Sequence, residues 1–597
     1  MRTRIRYARP AEAEALSALV LRSKAHWGYD DAFLAACREE LTIRAADMTV
    51  RRIVVAEDEA SGAALGVASL EGAAPEGTLG LLFVEPHTIG RGIGRVLYAH
   101  VLDAARELGF KRLTVDSDPH AVGFYRALGA RPAPGGSSEL PRLQVELAPR
   151  AGWVRAWTGG RRTVQLGNVA EFQAQFGPAS PSSPSARLNE AGLRASTHYS
   201  CLAALGTPYP AAVVLPGTVP VGWTELLCRQ LAWETVELYD GLGTGAGGLT
   251  AEVLARPALA RQLRALGLPF VPWGHTPATG ELSGAPLPPG ALRYESKRAA
   301  NTLFHQLAPG HPGIVVPRQW PVPTRLAAAR LIVARARVGA GSVVKTEHGV
   351  GGSGTHVVTS VRALPPVLRA LPRGPLLVEE YIGAEYADAA TGPHPTPYTP
   401  PRDLTYDGLV DAAGGVHDVG TARMDVAGTA YQGATVDPGA VPDEAASVAL
   451  RFGHAVGLRL AASGYRGWYD VDFVTAPVGR LAPTEINLRL TGPSVAFMVK
   501  ARLDETRGGA HLVRTLDRVP LGARLPDAEL MAWLAELTAR CASTGAVLVP
   551  SIPTAAFDPA PYVGVLLAAR APGRLDAAET LVRTAAEDLG GLFAPAR

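Results

Sequence analysis

The sequence predicts a multidomain protein of mixed α/β and α+β class, and three observations carry that reading. Its 597 residues exceed what one hydrophobic core usually serves, so three or four domains of about 150 residues each are expected. Short β-branched runs alternate with helical patterns, the mark of layered α/β architecture. Stretches rich in Pro, Gly and Ser at residues 132–138, 177–185 and 272–290 punctuate the chain, the first and third as domain boundaries.

Residues 1–148 carry strand patterns at 51–56, 80–84 and 112–115 between helical patterns at 11–23 and 96–108, a small α/β domain. Residues 149–290 offer a strand at 211–215 and a helix at 223–232, again α/β. A β-rich domain follows over 291–510, with a surface insertion at about 391–401. Residues 511–597 read as a C-terminal α/β extension with helices at 527–539 and 577–589 around a strand at 562–568.

Composition removes several function classes. A formal charge of +3 with scattered arginines gives no electrostatic case for nucleic acid. Apolar runs fall short of the roughly 18 residues of a membrane span, so no membrane association is expected. Cys37, Cys201, Cys228 and Cys541 lie far apart without CxxC spacing, which argues against zinc and disulfides and for a reduced, cytoplasmic setting. The basic start, Met1 to Tyr7, runs into strand-like alternation with no apolar signal core and is expected to be retained. A homo-oligomer is compatible with the sequence, which does not fix the oligomeric state.

The chemistry concentrates at Lys345, at the end of a β-branched run, followed by glycines (Gly349, Gly351, Gly352, Gly354 with Ser353) and a second β-branched run from Thr355. That order predicts a hairpin whose loop amides wrap phosphate oxygens beside a lysine charge. It differs from a Walker loop, where Lys-Ser/Thr follows the glycines at a helix start. An apolar strand ending in Glu379, Glu380, Tyr381 and Ile382 suits an adenine hinge. Downstream, Asp472 precedes Glu485-Ile486-Asn487-Leu488-Arg489, and strand alternation puts Glu485, Asn487 and Arg489 on one face. Two carboxylates and an amide oxygen are hard ligands of the kind Mg2+ takes. Asp470 competes with Asp472 for that role.

Taken together, Lys345, the glycine loop, the Val-Glu-Glu-Tyr-Ile hinge and Asp followed by Glu-x-Asn-x-Arg resemble the ATP-grasp ligase superfamily over about residues 291–510, with 149–290 similar to the preceding pre-ATP-grasp domain. The resemblance implies ATP held by Lys345, Gly351, Gly352, Ser353 and Gly354, adenine held by Glu379, Glu380 and the Tyr381/Ile382 backbone, and ribose held by Glu385. It implies two Mg2+ ions on Asp472, Glu485 and Asn487. Lys297 is similar to a second phosphate-contacting lysine, although its context reads as a solvated helix surface. Arg489 would stabilise the reacting groups, with help from amides near Gly492, and Arg423 and His417 are candidate contacts to a substrate carboxylate. In such ligases a carboxylate takes the γ-phosphoryl group and an amine displaces phosphate. Amino-acid or peptide substrates, and assembly of a natural product, are the narrower implication. Gly241 to Ala246 also fits GxGxxA, yet no acid follows at the spacing a dinucleotide site requires.

Near the N-terminus, a strand ending at Glu85 leads through Gly90-Arg91-Gly92-Ile93-Gly94-Arg95 into a helix, and Tyr125 follows on a short helix closed by Gly129. Amides at a helix start bind pyrophosphate. These motifs resemble the GNAT family of acetyl-coenzyme A-dependent N-acetyltransferases over about residues 1–148. The resemblance implies coenzyme A on the Gly90 to Arg95 loop, Tyr125 as proton donor to the departing thiolate, and Glu85 or Glu71 as a candidate base acting through water. Ile89 departs from the family's usual Gln/Arg. The expected whole is therefore an ATP-dependent carboxylate–amine ligase fused to an N-acetyltransferase, with a non-catalytic N-terminal module or a small-molecule kinase as the rival readings.

Overall fold

The computed structural model describes residues 3–138, 140–147, 151–176, 186–245, 247–349, 354–382 and 402–592, which form five sheets. Two of these belong to the N-terminal domain. Thr3–Tyr7, Val54–Asp58, Ala64–Ala68 and Leu82–Val84 pair antiparallel in that order. A second sheet, centred on Arg112–Asp116, pairs parallel with Glu76–Thr78 and antiparallel with Arg142–Glu146. The helix Ile93–Glu107 covers both, burying Leu97, Tyr98, Val101 and Leu102 in one shared core.

Next comes a parallel sheet, Glu237–Tyr239, Pro210–Val214, Thr163–Leu166 and Phe270–Pro272 in spatial order. Parallel strands are buried on both faces, and the run of Val164, Leu166, Ala212 and Val214 is fully buried as that requires. A four-stranded antiparallel sheet follows, ordered Gln319–Val322, Leu376–Glu380, Ser342–Lys345, Thr355–Val358. The helix Arg325–Arg337 packs on it through Ala328 and Ile332.

An eight-stranded antiparallel sheet dominates the rest: Leu481–Asn487, Gly467–Thr475, Asp403–Val410, Val416–Ala427, Ala430–Val436, Leu512–Pro520, Tyr562–Ala569, Val547–Ile552. It runs unbroken past residue 510, so the C-terminal segment adds three strands to the sheet that bears the acids.

Strand alternation sorts this sheet into two faces. Leu404, Tyr406, Tyr469, Val471 and Phe473 go to a core under the helix Asp443–Ala462. A Cβ on Gly453 would stand 2.2 Å from the Tyr406 ring and one on Gly457 2.1 Å from the Tyr469 hydroxyl, so only glycine permits this approach of helix to sheet. Thr405, Asp407, Asp470 and Asp472 are left for the opposite face. The helix Gly492–Arg507 joins the layers: it is almost wholly buried along its first half, and farther along Arg502 reaches Asp103 of the N-terminal domain at 3.7 Å. Arg106 of that domain donates to the Glu505 carbonyl.

Candidate active sites

A cavity of about 590 Å3 opens between the four-stranded sheet, the eight-stranded sheet and the start of the helix Gly492–Arg507. The hairpin predicted around Lys345 is present, with Lys345 opposite Thr355 and Val343 opposite Glu379. Lys345 Nζ lies 2.8 Å from Glu379 Oε1, and Gln319 donates to the other carboxylate oxygen at 3.0 Å. Both members of the ion pair are buried, so each is the other's charge compensation. Glu379 is therefore turned toward Lys345, a different engagement from the adenine contact anticipated. The Tyr381 N–H donates to the Gly341 carbonyl at 3.3 Å, and the Arg318 N–H meets Glu380 at 3.4 Å, while Tyr381 and Ile382 line the cavity. Gly354 takes φ +76°, a left-handed turn that returns the chain, and its carbonyl accepts from Thr346. Gly351, Gly352, Ser353 and Glu385 lie outside the described residues.

Lys297 corrects the expectation of a solvated helix surface. It is only 6% exposed, because the first turn of the helix Lys297–Leu307, capped by Ser296, packs beneath the strand Leu481–Asn487. Its Nζ sits 2.7 Å from Glu485 Oε2. Burial alone would raise the Glu485 carboxyl, but Lys297 and Lys345 together hold it below its usual range.

Register brings the acids together. Asp470 faces Asn487 and Asp472 faces Glu485 across one strand pair, while Asp407 faces Asp470 across the other. Asn487 Nδ2 donates to Asp470 at 2.7 Å and to Asp472 at 3.2 Å, and Thr491 donates to the second Asp470 oxygen at 2.7 Å. Burial, then the neighbouring negative charges, pushes Asp470 and Asp472 well above the ordinary carboxylate range. Asp407, hydrogen-bonded to Trp468 Nε1 at 2.8 Å, is pushed up to about 8 by burial and by Asp472. Among the described residues no three His, Cys, Asp or Glu side chains form a ready cage for a metal. Mg2+ commonly takes only one or two carboxylates, with phosphate oxygens and water completing its shell, so Asp472, Glu485 and Asn487 fit an ion that arrives with nucleotide.

Arg489, the residue expected to stabilise the reacting groups, already has protein partners. It is ion-paired with buried Glu295, donates to Asn487 Oδ1 at 2.6 Å and stands 5.5 Å over the Phe172 ring. Burial lowers it to about 10, so it stays charged at neutral pH. Glu295 spends its other oxygen on the Leu488 N–H at 2.7 Å, which fixes the strand end. Gly492 opens the helix Gly492–Arg507 on the cavity wall, and a Cβ there would stand 2.5 Å from the Tyr431 ring. Arg423 and His417 do not line the cavity. Alternation sends Met424 and Val426 to it and turns Arg423 away, toward Asp425 and Thr435. His417 belongs to the far end of its hairpin, 2.7 Å from Asp411.

Sequence reading passed over Glu295, Asp407, Tyr199, Asp517 and Arg518, all tied to this cavity or its arginine. Asp407 was open to discovery, since Asp403, Thr405 and Asp407 alternate with apolar Leu404 and Tyr406. The others come from distant segments with no local signature.

In the N-terminal domain the loop predicted to hold pyrophosphate has Gly90 at φ +82° and Gly92 at φ +89°, and Gly92 caps the helix Ile93–Glu107. Amides of a first helical turn lack partners within the helix and point outward as donors. The Gly92 carbonyl accepts from Arg95 at 3.0 Å. A Cβ on Gly94 would lie 3.7 Å from the Phe124 ring, and one on Gly92 3.7 Å from Arg229 of the second domain. Arg91 is exposed, whereas burial, then nearby Arg229, lowers Arg95. Tyr125 is buried against Tyr98 and Phe124, and burial pushes its phenol up, keeping it protonated. Glu85 is ion-paired with Arg22, so the candidate base is engaged.

Residues 21–130 match the model of the Acetyltransferase (GNAT) family, and the N-terminal domain is a GNAT domain. No curated protein matches the chain. Among solved structures, the chain is similar to N5-carboxyaminoimidazole synthase from Aspergillus clavatus in complex with ADP and 5-aminoimidazole ribonucleotide, at 16% identity and TM-score 0.41 over 63% of this chain and 98% of that one. It is similar to a biotin carboxylase from Campylobacter jejuni at 12% identity and TM-score 0.41, over 72% and 97%. PaiA N-acetyltransferase from Thermoplasma acidophilum in complex with coenzyme A is similar at 14% identity and TM-score 0.23, over 24% and 98%. No helix among the described residues is long and apolar enough to cross a membrane.

Proposed function

We propose that the central cavity joins a carboxylate to an amine at the expense of ATP, and that the GNAT domain transfers acetyl from acetyl-coenzyme A to an amine. The observation that carries the ligase reading is the pairing of two buried lysines, Lys297 and Lys345, with Glu485 and Glu379 around one cavity that Asp470, Asp472 and Asn487 also line. Phosphates entering there exchange carboxylate partners for phosphate oxygens on the lysines, and Glu485 is released to act as a ligand. Mg2+, held by Asp472, Glu485 and Asn487, would neutralise charge on the phosphates.

In the reaction, a substrate carboxylate oxygen attacks the γ-phosphorus, the bond to the ADP oxygen breaks, and an acylphosphate forms. The amine nitrogen then attacks the carbonyl carbon, phosphate leaves with the bonding pair, and the nitrogen loses a proton to give the amide. Lys345 and Lys297 stabilise the transferring oxygens; Arg489, fixed by Glu295, presents its charge to the same space. Amino acids or short peptides are the substrates we favour. At the GNAT domain, an amine attacks the thioester carbon and Tyr125 protonates the departing thiolate. A GNAT domain that binds without catalysing is the second reading, favoured by Ile89 and by the Arg22–Glu85 pair.

The test is a screen of amino-acid pairs for ADP release, with mass spectrometry of the product and Glu485→Gln as control. An amide product, ADP equal to it, and loss of both in the variant are expected; a phosphorylated or carboxylated product overturns the ligase. Thiol release from acetyl-coenzyme A with amines decides the second reading.

A further inference from the structure

The end of the cavity farthest along the eight-stranded sheet belongs to the C-terminal segment. The strand Leu512–Pro520 pairs regularly with Tyr562–Ala569 from Leu512 to Leu516, then slips register before Val519. Two residues, Asp517 and Arg518, occupy the slip. In a regular strand consecutive side chains point to opposite faces; a bulge re-aims one of them. Here both line the cavity. Leu516 and Val519 on either side stay in the core below.

Asp517 is 8% exposed, and its Oδ2 has no hydrogen-bond partner. Burial, then the Asp517 charge, pushes the neighbouring Tyr199 phenol well above its ordinary range. Arg518 is exposed to the cavity, its guanidinium 4.2 Å over the Tyr562 ring. Tyr431, bonded to Thr515 at 3.1 Å, and Trp273, edge-on to Tyr199 at 5.5 Å, complete an aromatic surround. A buried carboxylate oxygen with no donor costs free energy unless something donates to it. Aromatic faces around a carboxylate favour a cation, since ring quadrupoles attract positive charge. Nothing in the phosphate chemistry at Lys297 and Lys345 uses this end.

We infer that Asp517 receives an ammonium group of the substrate, with Arg518 beside it to meet a substrate carboxylate, so that the cavity takes a zwitterionic amino acid or peptide. This rests on the ligase reading for its purpose and on the bulge for its geometry. An ammonium supplies the donors that Oδ2 lacks. Asp517 selects by charge: an N-acylated amine keeps an N–H but brings no positive charge to the carboxylate.

The test is thermal-shift titration of the full chain with free amino acids and dipeptides, each beside its N-acetyl counterpart, for wild type, Asp517→Asn and Asp517→Glu. Asparagine keeps the shape but carries no charge. At least one free compound should stabilise the wild type, its N-acetyl counterpart should not, Asp517→Asn should weaken the apparent affinity about 100-fold while still responding to MgATP, and Asp517→Glu should recover part of it. Equal stabilisation by the N-acetyl compounds, wild-type affinity in Asp517→Asn, or no response to any free compound overturns the assignment. Loss of the MgATP response in both variants overturns it too, since the role would then be structural. ADP release reads the ligase separately: binding that depends on Asp517 without ADP release leaves this site and removes the ligase, and ADP release with unchanged KM in Asp517→Asn does the reverse.

Discussion

The GNAT loop and helix start fall in one short stretch, residues 90–95, whereas the central cavity gathers charged side chains from Lys297, Lys345, Glu379, Asp470, Asp472, Glu485 and Arg489. A backbone site of the first kind needs only glycine conformations and a helix start. Binding through amides need not be lost with Ile89, because amides do not depend on side-chain identity. The second kind depends on charge partners that neutralise one another, Lys345 with Glu379 and Lys297 with Glu485, so each group holds its neighbour in a usable state. The helix Gly492–Arg507 ends near both: its start lines the cavity and its last turns meet the GNAT domain, about 24 Å apart at 1.5 Å per residue.

The largest effect should come from cutting one charge out of the cavity. Lys345→Ala is expected to lower ADP release about 1000-fold, about 4 kcal/mol of transition-state stabilisation, while thiol release from acetyl-coenzyme A stays unchanged. If both activities fall together, the two sites are not independent and the contrast between them fails.

The reciprocal change is Tyr125→Phe. It should lower thiol release about 100-fold through loss of the proton donor, with acetyl-coenzyme A binding and ADP release untouched. Full activity in that variant would assign the proton to water.

A third experiment uses the burial of Asp517, whose carboxyl is pushed up to about 7 by burial. A folded value above the unfolded one means that the neutral form is favoured on folding. That contribution is complete below about pH 4 and is lost as pH rises through about 7. Asparagine has no such dependence. Between pH 5 and pH 8, unfolding free energies from urea titration should therefore shift in favour of Asp517→Asn by about 2 to 3 kcal/mol. A pH-independent gap between the two proteins would show that Asp517 is not held in an apolar setting.

The smallest effect is at the loop. Gly92 has φ +89°, so Gly92→Ala costs about 1 kcal/mol of backbone strain and should raise the KM for acetyl-coenzyme A about tenfold or less. Because the loop binds through its backbone, Arg91→Ala should do less still.

Much of this architecture was legible in local signals. The helix Ile93–Glu107 begins after its glycine turn, the strand Ser342–Lys345 ends on its lysine, and Glu485 and Asn487 lie on one strand face as alternation requires. Lys297 was legible as a candidate but not as a buried one, because a helix start looks solvated until the strand packed above it is known. Arg423 fails for a related reason: a strand pattern gives two faces without saying which one borders the cavity. Nor could local patterning reveal that the eight-stranded sheet passes residue 510, since sheet continuity depends on partners from far along the chain.

By itself the sequence determined much of the element types, the order of the lysine, glycine and acidic segments and the chemical character of their side chains, because these follow from residue chemistry and from periods of 2 and 3.6 residues. The tertiary structure alone decided which charges meet, Glu295 with Arg489, Lys297 with Glu485 and Asp407 with Asp470, and that a bulge turns both Asp517 and Arg518 to the cavity. Those pairings are set by strand register and packing between distant segments, and short-range propensity carries no information about either.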